Sequence, residues 1–98
     1  TGFGNGDTPL HAASHLGNVG LVKMLIAARA NIEALNDYGQ TPLQYAAAFG
    51  NKDIVVELLK AGADIKRKNP AGLDTVTIAE KTKNQEIADI LKNHTKEN

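Results

Sequence analysis

The residues best placed for chemistry are His11 and His15, which lie four positions apart in a segment with helical spacing. Two imidazoles at this spacing share one face of a helix and can hold a zinc ion together. The first histidine is not followed by the glutamate of an HExxH motif, however, and no third ligand is obvious. We therefore expect no metal and no cofactor, and we interpret His15 as a surface contact.

No other group of residues predicts catalysis. The chain has no cysteine, no serine paired with a base, no glycine-rich loop opening a helix, and no carboxylate pair placed for acid–base work. Eleven basic residues balance eleven acidic ones, which gives no electrostatic case for binding nucleic acid or an anionic membrane. No apolar run approaches the roughly 18 residues that cross a bilayer. We expect a protein that is not an enzyme.

The elements that position these residues follow a period of 33 residues, since Thr8-Pro9-Leu10-His11 returns as Thr41-Pro42-Leu43-Gln44. Such a fixed period indicates one structural unit copied along the chain. The copies predict three units, at about residues 3–35, 36–68 and 69–98, in a single domain that covers residues 1–98.

The middle unit shows the expected local structure. Thr41 can cap a helix that begins at Pro42, and Gly50 is suited to end it in a left-handed conformation. A second helix follows, with a buried stripe at every third or fourth position, and Gly62 ends it. The first unit predicts helices near Pro9–Leu16 and Val19–Ala28, with Arg29 held in the left-handed region at a cost of about 1 kcal/mol.

The third unit departs from the pattern and is richer in charge. Asp74-Thr75-Val76-Thr77 replaces the Thr-Pro-Leu segment, and Lys83 replaces the glycine that ends the first helix. A terminal unit has no neighbour on one side, so that side must be polar for the protein to stay soluble. The third unit is therefore predicted to be a C-terminal cap.

The segment Gly6-x-Thr8-Pro9-Leu10-His11-Ala12-Ala13, followed by Gly17-Asn18 and Leu21-Val22, resembles the ankyrin repeat. The resemblance covers nearly the whole chain, in two strong copies and one weak copy. It implies an all-α ankyrin-repeat solenoid of three stacked units, each a β-turn finger followed by two antiparallel helices, with the third unit a degenerate C-terminal cap. It also implies non-catalytic binding of a protein partner at the finger tips and first helices, which line the concave side.

Four apolar residues fall at fingers or at the exposed ends of first helices, whereas Tyr45 is expected in the core. These are Leu16, Leu35, Tyr38 and Phe49. Large, stiff side chains held in water favour a binding role, although single exposed apolar residues are also normal on any surface. We predict that the four residues, with His15, anchor a partner protein. The predicted polar rim consists of Asn5, Asp7, Asp37, Gln40 and Lys68.

The expected function is binding of one folded protein, by occlusion or scaffolding, from a chain that is monomeric when unbound. Two alternatives stay open: a stand-alone inhibitor or self-protection protein that covers the active site of an enzyme, and a structural protein that self-associates through the outer flank of its first unit. The compartment is not legible from the sequence. Cytoplasmic is the default, and secreted or periplasmic follows if Thr1 succeeds a cleaved signal peptide.

Overall fold

A computed structural model describes residues 8–96, and within this range the chain is all-α, with no strand. The helices form three pairs, each made of a first and a second helix joined by a tight turn. Their bounds are α1 Pro9–Leu16, α2 Val19–Ala27, α3 Pro42–Ala48, α4 Lys52–Lys60, α5 Thr75–Lys81 and α6 Gln85–Lys96. The helices predicted for the first unit are confirmed, with α2 ending one residue earlier than expected.

The three first helices begin at capping residues, as the sequence predicts. The Thr8 hydroxyl accepts from the backbone N–H of His11 at 3.3 Å, and the Thr41 hydroxyl accepts from that of Gln44 at 3.2 Å. In both units the third helical side chain also accepts from the backbone N–H of the capping threonine, which completes a capping box. Asp74 takes the same role in the third unit, so a carboxylate replaces the Thr-Pro start.

Helix ends follow the left-handed pattern that the sequence predicts. Gly50 has a φ of 74° after α3, and Gly62 has a φ of 94° after α4. Arg29 and Lys83, the residues that replace glycine at corresponding ends, both have a φ of 65°. The backbone geometry is therefore kept in every unit, and the two non-glycine residues carry its steric cost.

The pairs stack in two layers, because each first helix packs on the next first helix and each second helix on the next second helix. The core runs through all three pairs. Its largest fully buried apolar side chains are Leu10, Leu43, Ile54, Leu58, Leu91, Val22 and Val55. The stripe predicted for the second helix of the middle unit is buried throughout.

The turns between the pairs are closed by asparagine side chains. The Asn36 carboxamide oxygen accepts from the backbone N–H groups of Tyr38 at 2.9 Å and Gln40 at 3.0 Å. Asn69, 33 residues later, closes its turn in the same way with the residues two and four positions on. These turns are the second and third fingers of the predicted solenoid.

The outer side of the third pair is polar, as expected of a cap. Glu80 on α5 and Lys92 on α6 form an ion pair at 2.7 Å, with both side chains almost half exposed. Lys92 stands where the buried Leu59 stands in the second pair. A charged residue is tolerated there because no further helix covers it.

Candidate functional site

Strongly exposed large apolar side chains are few between residues 8 and 96, and most lie where the sequence predicts a binding surface. Leu16 is 77% exposed, Tyr38 58%, Phe49 50% and Leu35 46%. The fifth residue of this kind in that range is Met24 on α2. Tyr45 is buried, which confirms its predicted place in the core. Exposure of the four residues is thus a property of the fold, while their role in binding stays a prediction.

An aromatic cluster, made of His11, His15, Tyr45 and Phe49, joins α1 to the C-terminal end of α3. The rings of His15 and Phe49 stack with centroids 4.2 Å apart and an angle of 19° between their planes. Tyr45 lies beneath and meets the Phe49 ring edge-on, with centroids 5.6 Å apart. Leu16, next to His15, extends this apolar surface at the end of α1.

Hydrogen bonds fix the buried base of the cluster. The Tyr45 hydroxyl accepts from the Asn36 side-chain amide at 2.9 Å, which ties α3 to the second finger. The Nδ1 atom of His11 accepts from the backbone N–H of Thr8 at 3.1 Å, so Nε2 carries the proton and donates to the Gln40 carbonyl at 2.7 Å. The exposed rings therefore rest on a layer that cannot rotate freely.

Neither ring nitrogen of His11 is left for a metal, since Thr8 and Gln40 engage both. No group of three or more His, Cys, Asp or Glu side chains within residues 8–96 is placed to hold a metal ion. None of the helices in the described range is long and apolar enough to span a membrane.

Leu35 and Tyr38 form a second apolar group, in the finger that precedes α3. The seven residues of α3 rise about 10 Å, so this finger group and the aromatic cluster lie toward opposite ends of one helix. The structure therefore brings His15, Leu16 and Phe49 together at one end and places Leu35 and Tyr38 at the other.

The predicted rim residues fall into three groups. Asp37 and Lys68 are exposed in the second and third fingers. Gln40 is half-buried, and its backbone groups hold the finger through Asn36 and His11. Asn5 and Asp7 lie outside the described residues, so their place in the rim stays a prediction.

Sequence reasoning did not foresee the stack of His15 on Phe49. The signal was present, because His11 and His15 on α1, and Tyr45 and Phe49 on α3, are both spaced by four residues. Two aromatic pairs at this spacing on neighbouring helices form facing rows. The histidine pair was weighed only as a metal site.

Ion pairs described for the chain lie away from the aromatic cluster, on α4, α5 and α6. They join Lys52 to Glu86 at 3.1 Å, Lys60 to Glu57 at 3.6 Å and Lys92 to Glu80 at 2.7 Å. The hydrogen bond from Glu80 raises the pKa of Lys92 above its ordinary value of 10.5. Charge is therefore concentrated toward the third unit, and the aromatic cluster offers apolar and polarisable surface.

Helix pairs stacked at a fixed period, with turn fingers between them, define a helical repeat protein whose exposed apolar groups lie at fingers and helix ends. The family model for ankyrin repeats, in three copies, matches residues 1–69, and the chain belongs to the ankyrin-repeat family. Ankyrin repeats are generally protein–protein interaction modules, and the family is typically non-catalytic. A search of curated proteins finds no match.

Proposed function

We propose that this protein binds one folded protein partner through its fingers and the ends of its first helices. Four of the five strongly exposed large apolar side chains of the described chain carry the proposal, because they lie at these places and nowhere else. They are Leu16, Leu35, Tyr38 and Phe49. A chain with only two tyrosines and two phenylalanines has placed half of its aromatic residues there.

The aromatic cluster suits binding because its rings are set before a partner arrives. Phe49 is held by the stacked His15 ring on one side and the edge of Tyr45 on the other. A side chain that is already ordered loses little entropy on association, so more of its burial contributes to affinity. Aromatic anchors of this kind are enriched among interface hot spots.

The finger group supplies a second point of contact about one helix length away. Tyr38 stands on a turn that the Asn36 side chain closes, so its backbone is also ordered in advance. Asp37 and Lys68 are exposed beside this group and supply opposite charges to the rim, with Asn5, Asp7 and Gln40 completing it. Polar rims of this kind add specificity more than affinity.

The proposed mode of action is occlusion or scaffolding by a slab that changes little on binding. The unbound chain is proposed to be a monomer, with neither nucleic acid nor membrane as a partner. Inhibition of a partner enzyme would be one form of occlusion, and it depends on which surface of the partner is covered.

The test starts from affinity capture with the chain as bait, followed by calorimetric titration of the isolated partner. We expect Tyr38→Ala with Phe49→Ala to weaken binding by about 100-fold, since two hot-spot truncations of about 1.4 kcal/mol each are combined. The single variants show whether the finger group and the aromatic cluster both contribute.

Met24→Ala is the matched control, because Met24 is 68% exposed but lies on α2, away from the fingers. It should leave the affinity unchanged, and thermal unfolding should show that all variants stay folded. If the double variant binds as tightly as the control, the proposed surface is not the binding site.

A further inference from the structure

The outer flank of the first helix pair is apolar, in contrast to the charged flank of the third. Met24 is exposed there, while Leu21, Leu25 and Ile26 are half-buried. Lys23 is the only charged residue in α2, whereas α6 carries several charged side chains. The two ends of the stack therefore differ in chemistry, and only the third pair carries the polar side that a solvent-facing end requires.

A comparison of corresponding positions shows what covers this face elsewhere. Leu58 and Leu91 occupy the position of Leu25 in the second and third pairs, and both are fully buried. The third pair has a preceding neighbour but no following one, so the preceding pair must supply the cover. Leu25 has a following neighbour only, and it is half-buried.

Two further positions behave as this explanation requires. Ile54 and Ile87 are buried, whereas Leu21 at the same position of the first pair is half-buried. Val22, by contrast, is fully buried like Val55, so that position is covered from within its own pair or by the following one. The exposure of α2 is therefore confined to the positions that a preceding pair would cover.

A hydrogen bond between pairs repeats with the same period. The Asn84 side-chain amide donates to the Ala47 carbonyl at 2.8 Å, and the Asn51 amide donates to the Ser14 carbonyl. In each case an asparagine at the start of a second helix bonds to the end of the preceding first helix. Asn18 holds the same position in the first pair, where its carboxamide oxygen accepts from the Leu21 N–H at 3.1 Å.

We infer that the outer flank of α1 and α2 is an interface for one further helix pair of the same 33-residue pattern. Its second helix would cover Leu21 and Leu25, and the end of its first helix would present a carbonyl to the Asn18 amide. The interface continues the one that joins the existing pairs. A second copy of the chain is disfavoured as the occupant, because stacking in the same direction would place its charged α5–α6 flank against this apolar face. This interface is separate from the partner-binding surface proposed above.

The test compares the chain with an extended chain in which residues 36–68 are duplicated directly before Phe3, which preserves the period. We expect the extended chain to unfold in one transition, with its urea midpoint raised by about 1 M or more. Leu21→Lys with Leu25→Lys should abolish this shift in the extended chain and have a smaller effect in the parent chain. Asn18→Ala should reduce it.

Met24→Glu is the matched control, because Glu57 occupies that position in the second pair, where a preceding pair is present. It should leave the shift intact. An unchanged midpoint, or an added unit that unfolds in a separate earlier transition, would overturn the inference. A parent chain that dimerises in sedimentation velocity, and is made monomeric by Leu21→Lys, would also overturn it, because the occupant would then be a second copy.

Discussion

The helices α2 and α4 occupy corresponding places in two successive pairs, yet they are buried to different extents. Val22 and Val55 are both inaccessible to solvent, whereas Leu25 is half-buried and Leu58 is inaccessible. The residue types are the same at both positions, so the difference comes from the neighbouring pair. Hydrophobic residues in a repeat protein are thus placed by the local pattern and buried by the stack.

The largest expected effect tests this comparison directly. Leu58→Ala should lower the free energy of unfolding by about 3 kcal/mol, because a fully buried leucine leaves a cavity when truncated. Leu25→Ala, the same change 33 residues earlier, should cost about 1 kcal/mol, because that side chain is partly in solvent. Urea unfolding followed by circular dichroism measures both. Equal losses would show that the flank is already covered.

His11 and Gln44 extend the comparison to positions where the residue differs. His11→Ala should cost about 2–3 kcal/mol, because it leaves the Thr8 N–H and the Gln40 carbonyl without their partner. His11→Gln should cost less than about 1 kcal/mol, since Gln44 forms the same capping box in the second pair and donates to a carbonyl of the next finger. Chemical denaturation of the three proteins separates the two outcomes. A glutamine no better than alanine would mean that the ring itself is required.

Arg29 and Gly62 provide a smaller comparison, at the ends of α2 and α4. Arg29→Gly should stabilise the protein by about 0.5–1 kcal/mol, because it relieves a left-handed non-glycine conformation after allowance for the greater entropy of glycine in the unfolded chain. Gly62→Ala should destabilise it by about 1 kcal/mol. A Cβ atom there would meet nothing within 4 Å, so the cost arises from the backbone alone. Thermal unfolding should show opposite signs.

The smallest effect concerns Lys92 on the charged flank. Because Glu80 raises its pKa above 10.5 in the folded protein, the pair stabilises the fold at pH values below the unfolded pKa. That stabilisation is lost as the pH rises through the folded pKa. Both side chains are almost half exposed, so the contribution is small. Glu80→Gln should lower Tm slightly at pH 7, and the difference should shrink above about pH 10.5. A constant difference up to pH 11.5 would contradict this role.

Much of the local structure could be predicted from sequence. Helix starts at Thr8 and Thr41 follow from capping chemistry that acts within three residues. The left-handed Arg29 follows from its alignment with Gly62, and the burial of Tyr45 from its place within a first helix. These features depend on interactions over short stretches of chain, and a 33-residue period copies them between units.

Contacts between units could not be predicted in the same way. The stack of His15 on Phe49, and the bond from Asn51 to the Ser14 carbonyl, depend on how far one helix pair is shifted and rotated against the next. His11 and Gln44 show how fine this dependence is. They bond to different parts of the following finger, at Gln40 and Arg67, although their helices begin alike.

The amino-acid sequence alone determined the family, the helices, their caps and the residues that could be buried, because periodicity and capping are local properties. The tertiary structure decided which apolar residues are covered, since burial requires a neighbouring surface that no single unit contains. It also joined the rings of two helices into one cluster, left a second apolar group on the finger, and distinguished the open flank of α2 from the charged flank of α6.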